Sequence, residues 1–113
     1  MPFIDARVTV KLTEEKRENI QNKFCEAMPI MHKQPSHLMV GLTDSYSLYF
    51  AGKKLEEGAF VEVSTFTKPN PDDCNKMTGE ICEILSEELG IPADAVYVKY
   101  HGVDDWGWNG SNF

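Results

Sequence analysis

The sequence predicts an α/β (α+β) fold of two fused βαβ units, in which one sheet is covered by two helices on one face. Two observations favour this fold: strand-like alternation on both sides of two amphipathic helical segments, and an internal repeat that relates the halves. A chain of 113 residues, 42% of them hydrophobic, can bury one modest core. We therefore expect residues 1–113 to form a single domain.

The first half of the chain is predicted to run strand, helix, strand. Residues 3–10 alternate between two different faces, which is typical of a strand. Thr13 precedes two glutamates, and such a cap with an acidic first turn predicts a helix over 14–31. Pro29 should end or kink that helix early. The segments that follow are expected to be a buried strand at 38–42, a short strand at 46–50 and a polar turn at 52–58.

The second half repeats this order. Residues 59–66 alternate as a strand does, and Asn70-Pro71-Asp72-Asp73 combines a cap, a proline at the first helical position and acids near the helix dipole. Apolar residues at helical spacing continue to Gly90, which together with Pro92 predicts the end of the helix. Residues 96–101 alternate again and predict a final strand.

A shift of 57 positions aligns the two halves. The helix caps Thr13 and Asn70 then coincide, and Pro35 falls on Pro92. Because βαβ crossovers are right-handed and join parallel strands, each half should contain one parallel strand pair.

Two helices on one face leave the other face of the sheet uncovered. Phe3, Phe60, Phe66, Tyr97 and Tyr100 supply more aromatic surface than one helix layer can cover. An apolar open face and short edge strands in a small domain usually pack against another subunit, so we expect an oligomer.

Composition excludes several classes of protein. Eleven basic against 18 acidic residues give a net charge of −7, which argues against nucleic-acid binding. No apolar run reaches the roughly 20 residues of a membrane span, and no basic segment followed by an apolar one opens the chain. The three cysteines, Cys25, Cys74 and Cys82, show no CxxC spacing, so we expect neither a disulfide framework nor a zinc site. This cysteine usage predicts that the protein resides in a reducing compartment.

The dipeptide Met1-Pro2 is the segment of the chain that most clearly suggests a catalytic group. Removal of methionine before a small residue leaves a secondary amine, and an N-terminal amine, with an ordinary pKa near ~8, needs only a small decrease to act as a base at neutral pH. Proline at position 2 is also common and by itself carries no function.

Other candidates allow two interpretations each. Lys33, after the first helix, either lies near the helix dipole or reaches a carboxylate at the sheet edge. Tyr97 and Lys99 share one strand face, which suits a small anion as well as plain packing and a solvated charge. The last eight residues contain three aromatic side chains, so this tail should dock on a neighbouring subunit or line a pocket.

The three histidines, His32, His37 and His101, are not expected to form a metal site. No two of them have the i, i+4 spacing of a helical ligand pair, so we expect them to be solvated.

The whole chain resembles the macrophage migration inhibitory factor (MIF) and D-dopachrome tautomerase branch of the tautomerase superfamily. The resemblance rests on the start Met1-Pro2-Phe3-Ile4, the loop Lys33-Gln34-Pro35, the segment 92–98 and the ending 106–113, with about one inserted residue near 53–57. It implies a homotrimer with active sites between subunits. It also implies an N-terminal proline that acts, without cofactor or metal, as the base in keto–enol tautomerisation of arylpyruvates or dopachrome.

The resemblance assigns roles to individual residues. Pro2 matches the catalytic proline and Lys33 the lysine that holds the substrate carboxylate. Thr65 and Phe66 match a serine and an isoleucine at the strand end, where a backbone N–H also meets that carboxylate. The pocket matches are Tyr97, contributed by the adjacent subunit, and the aromatic wall of Trp106, Trp108 and Phe113.

The chain also departs from the family pattern. Lys99 replaces an asparagine of the mammalian protein, and, if turned inward, it would place a second cation near Pro2. The CxxC sequence of that protein is missing, since Gly58 and Val61 stand in its place, so thiol–disulfide activity is not expected.

Three functions remain open from the sequence. The first is a trimeric tautomerase acting on a small 2-oxo acid or aryl substrate. The second is a non-enzymatic, cytokine-like trimer that binds a receptor protein, and the third is a ferredoxin-like small-molecule sensor. We expect a cytoplasmic protein. Release from cells without a signal peptide occurs in the family, and the sequence leaves it open here.

Overall fold

The chain forms a four-stranded sheet with two helices packed on one face, as a computed structural model of all 113 residues shows. The elements, in chain order, are β1 (Pro2–Val8), α1 (Glu14–Ala27), β2 (Met39–Thr43), β3 (Tyr49–Phe50), β4 (Lys53–Lys54), β5 (Ala59–Phe66), α2 (Pro71–Leu89), β6 (Val96–Val103), β7 (Gly107–Trp108) and β8 (Ser111–Asn112). Neither helix is long and apolar enough to cross a membrane.

The strand order β2-β1-β5-β6 confirms the two fused βαβ units. β1 pairs in parallel with β2, and β5 pairs in parallel with β6. β1 and β5 then pair antiparallel and join the two units at the centre of the sheet. The second crossover is one residue longer than the first, because Phe3 lies beside Met39 whereas Phe60 lies beside Tyr97. The shift of 57 positions that aligns the two halves therefore becomes a shift of 58 at the second strand of each unit, β2 and β6.

The core lies between the sheet and the helices. Alternate residues of β1 and β5 point towards the helices, and each helix packs a stripe of apolar side chains against them. Complete burial of such a side chain contributes about 1.5–3 kcal/mol to stability. The principal core residues are Ile4, Ala6, Val8, Ile20, Phe24, Val61, Val63, Met77, Ile81, Ile84 and Leu85.

Local signals define both helix starts, as the sequence predicts. The Thr13 hydroxyl accepts a hydrogen bond from the Lys16 N–H at 3.1 Å. The Asn70 side chain accepts hydrogen bonds from the N–H groups of Asp72 and Asp73 at 2.8 and 3.3 Å. Each cap satisfies backbone donors that the first helical turn leaves free.

The helix ends also follow the sequence signals. Pro29 ends α1 early, since the chain passes at Met28 into a short 3-10 turn that closes with His32 at a φ of 55°. Gly90, at a φ of 69°, ends α2 in the left-handed conformation that glycine adopts without steric cost.

Two predictions for the region between the units are wrong. β2 is not a buried strand, because it forms an edge of the sheet and its first residue, Met39, is 69% exposed. The strand expected over 46–50 contains only Tyr49 and Phe50. It pairs with Lys53 and Lys54 inside the expected polar turn.

The centre of the open face is charged, although four of the expected aromatic side chains, Phe3, Phe60, Phe66 and Tyr97, do lie on this face. Arg7 lies between Asp5 and Glu62, with N–O distances of 3.3 and 3.4 Å, and Lys99 lies 3.9 Å from Glu62. The four side chains form a ladder of alternating sign across β1, β5 and β6.

Tyr100 belongs to the helix face and not to the open face. Its hydroxyl donates to the Cys74 carbonyl at 3.0 Å and lies 2.9 Å from the Thr78 hydroxyl. Burial raises the pKa of Tyr100 to about 12, although the Thr78 hydrogen bond acts in the opposite direction. Tyr100 therefore ties β6 to α2.

Two glycines associated with α2 predict opposite effects of one substitution. A Cβ at Gly79 or at Gly90 meets no atom within 4 Å, so space is equal at both positions. Gly79 is helical, and Gly79→Ala should raise the free energy of unfolding by about 0.5–1 kcal/mol. Gly90 is left-handed, and Gly90→Ala should lower it by about 1–2 kcal/mol. Urea unfolding of both variants measures this, and effects of the same sign would contradict the assigned backbone conformations.

Candidate active site

The candidate site begins at Pro2, which is buried at the start of β1 and lies opposite Thr65 at the end of β5. The strand pairing extends one residue further, since the Phe66 N–H donates to the Met1 carbonyl at 3.2 Å. The first two residues of the chain are thus held in place by the main sheet.

A cleft of about 660 Å³ opens beside Pro2. Its walls come from the chain start (1–3), the segment 36–39, Ser64 and the segment 106–108. Apolar side chains dominate the lining, with a few polar groups among them, as is usual for small-molecule sites.

The C-terminal tail is an ordered hairpin that forms one wall of this cleft. β7 and β8 pair across Asn109 and Gly110, whose φ angles of 54° and 89° belong to a tight hairpin turn. The Phe113 N–H donates to the Trp106 carbonyl at 3.0 Å and closes the hairpin. This hairpin was not predicted from the sequence, although Asn-Gly is a strong hairpin signal.

Aromatic rings continue from the tail towards both sides of the cleft. Phe66 packs on Phe113 with ring centroids 5.6 Å apart, and Phe113 stacks on Trp108 at 6.4 Å. Trp108 in turn packs edge-to-face with His37, with ring centroids 5.8 Å apart. These four side chains, the aromatic series, connect the end of β5 with the segment before β2.

Electrostatics lower the basicity of the amine at the chain start. Burial, and then the nearby positive charge of Lys33, lower the pKa of the Met1 α-amino group from its ordinary value. Lys33 follows directly after the left-handed His32, and its N–H donates to the Met28 carbonyl at 3.4 Å. The end of α1 therefore places Lys33 close enough to influence this amine.

The Thr65 side chain does not reach this site. Its side chain is fully buried, and its hydroxyl donates to the Thr67 carbonyl at 2.8 Å. The bond holds the chain where it turns at Thr67, which has a φ of 67°.

Tyr97 and Lys99 do not share the cleft of their own chain. Tyr97 lies beside Phe60, near the opposite end of β5 from Thr65, which is roughly 16 Å away at about 3.3 Å per residue. The Tyr97 ring packs on Phe50 at 5.5 Å and is 62% exposed. Lys99 points along the open face towards Glu62.

Several cleft residues were not anticipated from the sequence. His37 is exposed, as expected, but it also packs against Trp108, and its Nδ1 lies 3.2 Å from the Ser36 hydroxyl. Met39 and Ser64 also line the cleft. No cluster of three or more His, Cys, Asp or Glu side chains is arranged to hold a metal ion.

Comparison with known proteins identifies the family. The family model for macrophage migration inhibitory factor (MIF) matches residues 1–113. MIF from Xenopus laevis is 46% identical over 35 residues, which are 29% of this chain and 30% of the Xenopus protein.

Two solved structures extend the likeness over the whole fold. Leishmania major MIF2 is 31% identical, with 100% of this chain and 97% of that chain covered and a TM-score of 0.93. A MIF homologue from Prochlorococcus marinus is 25% identical, with 98% of both chains covered and a TM-score of 0.88. The chain therefore belongs to the macrophage migration inhibitory factor family and has the tautomerase superfamily fold.

Proposed function

We propose that the chain is a MIF-like keto–enol tautomerase that acts as a homotrimer on small 2-oxo acids carrying an aryl ring. Pro2, freed by removal of Met1, is the general base. The observation that carries the proposal is the Met1 carbonyl, which accepts a hydrogen bond from the Phe66 N–H directly beside Pro2.

Removal of Met1 creates two functional groups at once. The nitrogen of Pro2 changes from an amide into a basic secondary amine, and the Phe66 N–H loses the oxygen it now binds. A substrate carboxylate is an oxygen acceptor of matching size and carries the charge that attracts Lys33. The Phe66 N–H and the Lys33 ammonium can thus hold the carboxylate next to the amine.

The reaction needs only this amine and the neighbouring positive charge. The Pro2 nitrogen takes a proton from the carbon next to the 2-oxo group, and the electron pair of that C–H bond moves to give an enolate. Lys33 stabilises the negative charge that develops on the enolate oxygen. That oxygen then takes the proton from the protonated amine, directly or through a water molecule that relays it, which yields the enol and returns the free base.

The trimer brings in the residues that one chain keeps apart. Tyr97, Tyr49 and Phe50 form an exposed aromatic patch at the far end of the sheet from Pro2. In our proposal this patch packs against a neighbouring chain, where Tyr97 completes the pocket. Lys99 lies on the same face of β6 and, from that position, supplies a second contact for the carboxylate.

One observation favours a second function for chains that keep Met1. With Met1 in place, the Phe66 N–H is occupied and Pro2 is an amide. Such a chain would act as a non-enzymatic, cytokine-like binding protein. Intact mass determines which form is present.

The base is tested with Pro2→Gly, which keeps a free N-terminal amine but changes its basicity. We expect kcat/KM for phenylpyruvate to fall by about 10²–10⁴-fold, the usual effect of losing a general base. Pro92→Gly, at an exposed loop position, serves as the control and should retain activity. Intact mass of each sample confirms removal of Met1, and unchanged turnover in Pro2→Gly would exclude Pro2 as the base.

Lys33 predicts a particular pH dependence. The base works only without its proton, so kcat/KM rises as pH increases through the pKa of the amine. Lys33 lowers the pKa of the Met1 α-amino group, and we propose that it acts in the same way on the Pro2 amine once Met1 is removed. Lys33→Met should therefore move this rise to higher pH, whereas Lys33→Arg should leave it in place. Loss of the carboxylate contact should also raise KM by about 10-fold or more in Lys33→Met. A pH profile that is the same in both variants would contradict this role.

The site between subunits is tested by mixing two inactive chains. Light scattering should give three times the 12.8 kDa chain mass. Co-expression of Pro2→Gly with Tyr97→Ala should restore activity at about a quarter of the sites, since random trimers then combine an intact Pro2 with an intact neighbouring Tyr97. Each variant alone should stay weak. A fully active monomer, or no recovery on mixing, would show that the site lies within one chain.

A further inference from the structure

Met39 lines the cleft but has no part in the proposed reaction. It opens β2, an edge strand of the sheet, and lies beside Phe3 of β1. Because its side chain is 69% exposed, it contributes little to the stability of the core. What Met39 adds to the cleft is a thioether that faces solvent.

The methionines of the chain differ in their access to solvent. Met28 and Met77 are 0% exposed and Met31 is 4% exposed, because all three pack in the core between the sheet and the helices. Met1 is removed in the proposed enzyme. A reagent dissolved in water therefore reaches the thioether of Met39 far more easily than the other three.

Met39 also stays accessible in any assembly that leaves the cleft open to a substrate. The cleft has a volume of about 660 Å³ and is shared by Met39, Pro2 and Trp108. Hydrogen peroxide is much smaller than a 2-oxo acid that carries an aryl ring. It can therefore enter wherever such a substrate can.

The three cysteines are not part of this site. All of them are partly buried, and none lines the cleft beside Pro2. Burial raises the pKa of the Cys74 and Cys82 thiols, which lowers the fraction of reactive thiolate at neutral pH. Oxidation within the cleft therefore falls on Met39.

We propose that Met39 is an oxidation site at which a peroxide weakens the binding of aryl ligands in the cleft. The thioether sulfur donates an electron pair to one peroxide oxygen, and the O–O bond breaks. Sulfur keeps that oxygen as a sulfoxide, while the other oxygen takes up a proton and leaves as water. Sulfur is thus oxidised and the peroxide is reduced.

The sulfoxide changes a wall that is mainly apolar. A thioether packs against a flat ring without losing hydrogen bonds, whereas a sulfoxide oxygen must give up water when the ring approaches. The affinity for an aryl ligand should therefore fall. That the ligand carries an aryl ring rests on the proposed function, whereas the position of the oxidation does not.

Peptide mapping tests the position. The folded protein, with removal of Met1 confirmed by intact mass, is treated with hydrogen peroxide and digested for mass spectrometry. We expect Met39 to oxidise at least ~10-fold faster than Met28, Met31 and Met77, because buried thioethers react only after local opening. Equal rates at the four positions would overturn the proposal.

Binding of cinnamate, a carboxylic acid with an aryl ring and no 2-oxo group, tests the consequence by calorimetry. The oxidised protein is first treated with dithiothreitol, which reverses oxidation of thiols to disulfides and sulfenic acids. We expect the Kd for cinnamate to rise by about 3–10-fold on oxidation. Incubation with methionine sulfoxide reductases of both stereochemical classes should restore the original Kd.

Two variants assign the effect to one side chain. Met39→Leu keeps a similar volume without a sulfur, so it should bind cinnamate about as tightly as the wild type and become insensitive to peroxide. Met31→Leu makes the same change in the core and should keep the sensitivity of the wild type. A Met39→Leu protein that still loses affinity on oxidation would overturn the role of Met39.

Phenylpyruvate turnover by the untreated wild type tests the tautomerase separately. Turnover together with a cinnamate affinity that peroxide leaves unchanged would overturn the role of Met39 and leave the enzyme intact. Loss of affinity through Met39 in a protein without turnover would support the oxidation site and overturn the enzyme. A wild type that does not bind cinnamate at all would overturn the proposed effect of oxidation.

Discussion

The antiparallel pairing of β1 with β5 is the interaction on which the rest of the molecule depends. It joins the two βαβ units and sets Ile4 beside Val63 beneath the helices. The same register carries the chain start to the end of β5. Because a shift by one residue would turn every buried side chain of β1 to the open face, the core that stabilises the fold also fixes the position of Pro2.

Most of the fold follows from local signals in the sequence. Alternation locates β1, β5 and β6, and the caps at Thr13 and Asn70 locate the helices, because short-range geometry determines both. Burial depends on non-local packing and was harder to predict. The run at 38–42 is apolar, yet it forms an edge strand, and Tyr100 is aromatic like its neighbours, yet it faces α2. The amino-acid composition of these two segments does not indicate either arrangement.

The candidate site was predictable only in part. The family resemblance indicated Pro2, Lys33 and the tail tryptophans, and the structure brings the first and last of these into one cleft with the charge of Lys33 near it. The resemblance did not indicate that His37 lines the cleft, because its contact with Trp108 joins two residues about 70 positions apart in sequence. It also could not reveal the bond between the Met1 carbonyl and the Phe66 N–H, which exists only because two strand ends meet.

Both ends of the chain lie at the same cleft, since the Met1 carbonyl and the Phe113 ring both contact Phe66. This matters for the preparation of the protein in the laboratory. An affinity tag before Met1 keeps Pro2 as an amide, and a tag after Phe113 adds a disordered segment next to the aromatic wall. Fluorophores and surface tethers are better attached to the outer side of α2, for example at the exposed Glu83, where neither the amine nor the cleft is disturbed.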